Sequence, residues 1–248
     1  MRVSSDRGTH MRVECASRTH VGLKRKINED SILVDSARGL WAVADGMGGH
    51  EAGEVASAMV VQALSALPAA EEDIDDLVGG AVHALRQVNR DLIELARTEG
   101  NGRTIGTTVV GLIVAGGFFR CFWVGDSRAY RMRDGLMTRI SRDHSLVQQL
   151  VDSGMLRAEE AEHHENSNVV TRAVGVASEV DVDLIEGECV AGDLFLLASD
   201  GLTRVVDDLE IAAELQRSAP EAAADTLLES VLERGAPDNV SLIIVRLI

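Results

Sequence analysis

Short apolar runs punctuate the chain at residues 31–35, 40–44, 108–114, 119–124, 194–198 and 240–245. Each has the length and composition of a buried β-strand. Two longer stretches carry helical periodicity instead. From residue 51 onward Ala52, Val55, Ala56, Met59, Val60, Ala63, Leu64 and Leu67 fall at i, i+3, i+4 spacing. Leu77, Ala81, Leu85, Val88, Leu92 and Leu95 repeat the pattern, with Gly79 and Gly80 weakening its start by about 1 kcal/mol each. Later, Asp207 and Glu210 have capping-box spacing ahead of Ile211, Ala212 and Leu215. A further helix is expected after Pro220, burying Ala224, Leu227, Leu228, Val231 and Leu232. Asp134 and Gly135 separate two short alternating runs, 129–132 and 137–140, and predict a hairpin with a type I′ turn.

The order is strands, two helices, many strands, helices and a last strand. It lacks regular βαβ alternation and so predicts an α+β layered architecture with mainly antiparallel sheets. No internal repeat and no Pro/Gly/Ser-rich linker divides the 248 residues, which are enough for one substantial core. Met11 opens a strand-like segment, so residues 1–10 are expected to be a disordered N-terminal extension and residues 11–248 the domain. Residues 145–168 are polar and partly helical, with Glu159, Glu160 and Glu162 beside His163 and His164. A small surface excursion is expected there.

Composition narrows the function classes. The chain is 46% hydrophobic with no apolar run near eighteen residues, and its start lacks a signal-like apolar stretch; this predicts a chain without a membrane span. The net charge of −16 argues against nucleic acid as a partner, which needs a basic field. Cys15, Cys121 and Cys189 are odd in number and far apart, with no zinc or disulfide spacing, and a cytoplasmic location follows as the expectation.

Four aspartates stand at strand ends. Asp45 follows 40–44, Asp126 follows 119–125, Asp200 follows 194–199, and Asp238 precedes 240–245. Any one is an ordinary turn residue. If the strands are neighbours, however, four carboxylates reach one rim, where they repel each other unless divalent cations neutralise them. After Asp45 come Gly46, Met47, Gly48, Gly49 and His50, a cluster that lets backbone carbonyls join the carboxylates as hard oxygen donors for Mg²⁺ or Mn²⁺. Two such ions activate a water for in-line attack at a phosphoryl or acyl centre. A phosphate group also needs a cation, and Lys24, Arg25 and Lys26 are candidates that electrostatics alone does not separate.

With these residues the chain resembles the bacterial PPM-type (type 2C) metal-dependent Ser/Thr protein phosphatases over residues 11–248. The matching motifs are Gly22, Arg25, Asn28, Glu29 and Asp30; Asp45 to His50; Gly106, Thr107 and Thr108; and Val124 to Arg128. Asp143, His144 and Ser145; Asn168 with Arg172 and Gly175; Ala198 to Leu202; and Pro237 to Val240 complete the series. The resemblance implies a four-layer αββα sandwich, two central antiparallel β-sheets flanked by helices. It implies that Asp45 bridges two catalytic ions, Mn²⁺ or Mg²⁺, that the Gly46 carbonyl binds the second, and that Asp200 and Asp238 complete the first. Glu29 and Asp30 would hold metal-bound waters, Arg25 would bind the phosphate, and Asp126 with Asp200 would hold a third, weaker ion. Residues 145–168 correspond to the family's variable flap.

Where eukaryotic relatives carry a histidine after the Asp-Gly pair, this chain has Met47. His50 is the candidate general acid, and metal-bound water is an equal one. The function implied is hydrolysis of phosphoserine and phosphothreonine on proteins by a metal-bridged water, by a monomer opposing a bacterial Ser/Thr kinase, with type VI secretion signalling as one setting. A phosphoprotein-binding module without activity is disfavoured because all four aspartates are present. A two-metal nuclease is disfavoured by the acidic charge.

Overall fold

In the computed structural model, which describes residues 12–48, 52–68, 74–98, 104–161 and 164–248, the apolar runs form two antiparallel sheets. One runs from edge to edge as β1 (Val13–His20), β11 (Val240–Leu247), β10 (Leu194–Ala198), β7 (Arg128–Arg133) and β8 (Leu136–Arg139). The other runs as β2 (Asp30–Asp35), β3 (Leu40–Met47), β5 (Val109–Ala115), β6 (Phe118–Val124) and β9 (Asp183–Glu188). The short β4 (Gly106–Thr107) pairs with the end of β3.

Successive residues of a strand point to opposite faces, and here both faces are covered. In β3, Trp41 and Val43 face the other sheet, meeting Phe195, Leu197, Ile243 and Val245. Leu40, Ala42 and Ala44 face the opposite way, onto α1 (Ala52–Ser65) and α2 (Ile74–Thr98). Across the sandwich, Leu196, Ala198, Leu242 and Ile244 turn toward α5 (Asp200–Thr203), α6 (Asp208–Arg217) and α7 (Pro220–Glu233). The result is helix, sheet, sheet, helix. Burial on both faces explains why the central strands read as continuous apolar runs rather than as alternation.

The boundaries follow local chemistry. Asp207 caps α6 by accepting from the Glu210 N–H at 2.9 Å, and Pro220 occupies the first turn of α7. Asp134 and Gly135 have φ of 52° and 79°, the two positive angles that a type I′ turn requires. The glycines at 79 and 80 do not delay α2. They lie inside the helix, where Leu77, Val78 and Ala81 are buried around them.

Three expectations change. β3 is longer than 40–44 and holds Asp45, Gly46 and Met47 inside the strand, where pairing with Thr107 and Gly106 extends it. Val55, on the expected apolar stripe of α1, is exposed at 43%. β9 escapes notice in the sequence because it is an edge strand whose residues are mostly exposed, so burial imposes no alternation on it. Residues 145–168 include α3 (Leu146–Asp152) and α4 (Ala158–Ala161), outside the four layers. The expected N-terminal extension, His50, Glu162 and His163 lie outside the described residues.

Candidate active site

Strand parity carries the polar residues to one end of the sandwich. Trp41 and Val43 point between the sheets, and Asp45 continues the same row. Asp30 lies directly opposite Asp45 across the β2–β3 pair, as Ile32 lies opposite Val43. In the facing sheet the rows through Phe195 and Leu197 and through Ile243 and Val245 reach Ser199 and Ser241 by the same count. The Ser199 hydroxyl donates to Asp30 Oδ2 at 2.9 Å, and the Ser241 N–H donates to the Ser199 oxygen at 2.9 Å. Asp30 thus joins the two sheets at the floor of the site.

Two glycines permit the close approach of the walls. A Cβ on Gly46 would lie 2.0 Å from the Gly53 carbonyl oxygen and 2.6 Å from that of Glu29. A Cβ on Gly201 would lie 1.8 Å from the Asn239 carbonyl oxygen. The first position brings β3 against the start of α1, and the second brings α5 against β11. Asp45 and Asp200 are the residues just before these contacts, so both carboxylates inherit their positions from backbone packing.

Asn239 organises the basic loop. Its amide donates to the carbonyls of Val21 at 2.9 Å and Ile27 at 3.0 Å, and its Oδ1 accepts from the Glu29 N–H at 2.8 Å. This fastens residues 21–29 beside Asp238. Arg25 Nη2 donates to Asp238 Oδ2 at 2.8 Å, whereas Lys24 and Lys26 are exposed. The Glu29 carboxylate accepts from the Gly53 N–H in the first turn of α1, a favourable place for an anion.

Electrostatics marks the end of the sandwich as unusual. Burial, and then the charges of Asp200, Asp30 and Asp126, push the Asp45 carboxyl well above the usual carboxylate range. Burial raises Asp30 and Asp126 to about 7, and Asp200 adds to both shifts; Asp200 is itself raised, chiefly by burial. Four carboxylates from distant parts of the chain therefore sense one another. Among the described residues no three of these groups converge on one point as closely as the ligands of a bound ion. Instead Arg25 holds Asp238, while Arg204 holds Asp126 and Asp200.

The donor set fits hard divalent cations. It consists of oxygens, its carboxylates repel each other, and Asp30 Oδ1 is buried without a hydrogen-bond partner.

The site makes a pH prediction. A carboxyl whose value rises from 3.8 to about 7 on folding stabilises the fold fully below the lower figure and loses that contribution as pH climbs through the higher one. His144, lowered from 6.5 chiefly by burial, acts in the opposite sense below that pH, so the comparison belongs above it. In EDTA the Tm is expected to fall by a few degrees between about pH 6.5 and pH 8. Asp30→Asn should flatten the fall, and an unchanged slope in thermal melts of that variant would refute the assignment.

Beyond the aspartates, the structure adds residues that sequence motifs had not given a role. The Thr108 N–H donates to the Asp45 carbonyl at 2.8 Å, and its hydroxyl lies 2.7 Å from that of Ser127. Asp143 binds Arg128 through both carboxylate oxygens. His144 accepts from the Gly125 N–H at Nδ1, stacks on Trp123, and meets Asp183 at Nε2. A cavity of about 370 Å³ lies beside this centre, lined by Asp126, Asp200, Arg204, Ser167 and Val147 among others.

Comparison with known proteins places the chain in a family. The family model of protein phosphatase 2C matches residues 19–238. The chain belongs to that family. The serine/threonine protein phosphatase PstP of Mycobacterium tuberculosis is 39% identical over 229 residues, 92% of this chain. This chain spans 44% of that relative's length. Among solved structures, PppA, described as a key regulatory component of T6SS in Pseudomonas aeruginosa, superposes with a TM-score of 0.88 at 42% identity, covering 95% of this chain and 98% of its own. The catalytic domain of PstP in complex with two manganese ions gives 0.85 at 38% identity, covering 95% and 98%. The α+β architecture, two antiparallel sheets flanked by helices, is the architecture of these family members. No helix among the described residues is long and apolar enough to cross a membrane.

Proposed function

We propose that this family member is a metal-dependent protein serine/threonine phosphatase. The observation that carries the reading is the meeting of Asp30, Asp45, Asp126 and Asp200 at one end of the sandwich, where Asp30 lies opposite Asp45, Ser199 joins Asp30 across the sheets and Arg204 spans Asp126 and Asp200. Asp45, the Gly46 carbonyl, Asp200 and Asp238 would hold two divalent cations, Mn²⁺ or Mg²⁺. When bound, such cations supply Lewis acidity toward a phosphoryl oxygen and a water nucleophilic at neutral pH.

The chain's own residues do the rest. Arg25 is exposed on the loop that Asn239 fastens, and its partner Asp238 keeps it at the rim of the site. Its planar fork suits two phosphoryl oxygens, which a lysine's point charge does not. Asp30, joined to Ser199 and holding one unpartnered oxygen, is placed to accept a hydrogen bond from water at the floor. Glu29, raised by burial, is a second such acceptor. His50, a candidate proton donor, lies outside the described residues. The centre would take a single phosphomonoester, and phosphorylated proteins are the substrates that the family's other members point to.

The purified chain should hydrolyse a phosphothreonine peptide with Mn²⁺ and lose that activity in excess EDTA. Arg25→Ala should lower kcat/KM roughly a hundredfold, the effect of losing a charge-assisted phosphate contact, and Arg25→Lys should recover only part. Full activity in EDTA, or an Arg25→Ala enzyme with unchanged kcat/KM, would sink the reading. A cognate Ser/Thr kinase as the opposing partner, a monomeric state and a cytoplasmic location belong to the same proposal. The free thiols of Cys15, Cys121 and Cys189 support a reducing compartment.

A further inference from the structure

Arg204 stands where a cation is needed, and its geometry leaves little room for another. Its Nη2 donates to Asp126 Oδ2 at 2.9 Å, and its Nε lies 2.7 Å from Asp200 Oδ2. The same Nη2 also donates to the carbonyl of Ser167 at 3.1 Å, at the end of the segment that contains α3 and α4. The approach is built into the backbone. Arg204 follows the single turn of α5, its N–H donates to the Asp200 carbonyl at 2.9 Å, and the i, i+4 spacing returns the side chain over Asp200. Asp126 is 5% exposed and Arg204 is only partly exposed, so water screens these contacts weakly. Arg128, held by Asp143, adds positive potential at the same place.

The geometry points to Arg204 as a tethered cation that takes the position between Asp126 and Asp200, limits the site to two divalent ions, and ties residue 167 to the catalytic carboxylates. This rests on the phosphatase reading, and it specifies how many ions that site accepts. Among the described residues a third ion there would find Asp126 and a shared Asp200, since Asp143 is held by Arg128 and Asp208 by Tyr130. To bind there it must displace a cation that is always charged, already hydrogen-bonded to both groups, and held at high effective concentration by its own chain. Its own charge would also meet the guanidinium at close range. Asp200 meets Arg204 through Oδ2, and its other carboxylate oxygen would be the one left to help hold the two proposed ions. Arg204 is in this sense a positioning residue.

The test is the stoichiometry of Mn²⁺ binding, by calorimetry and by metal analysis after gel filtration. Wild type is expected to bind two ions per chain. Arg204→Met should bind three, the added one weakly, with a second phase in the Mn²⁺ dependence of peptide hydrolysis. Adding Asp126→Asn to Arg204→Met should return the count to two. A merely structural arginine would leave the count unchanged in Arg204→Met. Three ions in wild type, or two in a folded Arg204→Met, overturn the inference. Should Arg204→Met fail to fold, the wild-type count decides, since three ions there refute the tethered cation. A wild-type protein that binds no Mn²⁺ and hydrolyses no phosphopeptide refutes the phosphatase reading instead, so the two failures are told apart.

Discussion

Asp45→Asn is expected to abolish hydrolysis while raising the thermal stability of the protein in EDTA. The activity loss should reach about a thousandfold or more, equivalent to about 4 kcal/mol of barrier, because the variant removes a charge that both proposed ions share. The gain in stability has the opposite origin. Burial and three neighbouring carboxylates disfavour the Asp45 anion. A neutral amide of the same shape removes that repulsion, while the strand around it keeps its pairing with Thr107 and Thr108. Mn²⁺ should raise the Tm of wild type at about pH 8 by several degrees and that of Asp45→Asn hardly at all. Melts with and without Mn²⁺, read beside phosphopeptide turnover, check both halves. A variant that keeps its turnover, or the full Mn²⁺ shift, would remove Asp45 from the centre.

The largest effect on stability is expected at Gly201→Ala. The added methyl would meet the Asn239 carbonyl oxygen at 1.8 Å, and neither partner is a side chain that can rotate away. Either α5 or β11 must shift. Overpacking of backbone against backbone lies at the upper end of the usual range, about 3 kcal/mol or more, which is roughly 6–12 °C of Tm for a domain of this size. Because Asp200 sits on α5 and Asp238 just ahead of β11, the same shift should weaken Mn²⁺ binding. Gly79→Ala is the contrasting substitution. It is helical, no atom lies within 4 Å of the new Cβ, and α2 should gain about 0.5–1 kcal/mol. Thermal melts that rank the two variants equally would show that the close approach at Gly201 does not constrain the fold.

Much of this arrangement is legible in the sequence. The runs at 40–44, 194–198 and 240–245 read as strands because they are apolar throughout yet too short for a typical helix. Asp207 and Pro220 start their helices through hydrogen bonds and φ angles fixed within a few residues. The carboxylates could be singled out because each stands at the end of such a run. The proposal of Arg25 over its lysine neighbours, left open by charge alone, rests on the resemblance of the motif around it.

What the sequence could not supply depends on which strands are neighbours. β1 pairs with β11 from opposite ends of the chain, and Asp30 meets Ser199 across 169 residues; no local pattern encodes either contact. The anchoring of the basic loop by Asn239 and the stacking of His144 on Trp123 also arise only when separate elements meet. Arg204 shows the division most plainly. In the sequence it is one more basic residue after a short turn, with spacing that reaches Asp200. Only the tertiary structure brings Asp126 to the same guanidinium, from a strand-end bend 78 residues earlier. Local pattern determined the elements and the residues at their ends, because helix and strand periods act over a few residues. The packing of the two sheets decided which of those ends share charge, because electrostatic coupling depends on distance in space and on the exclusion of water.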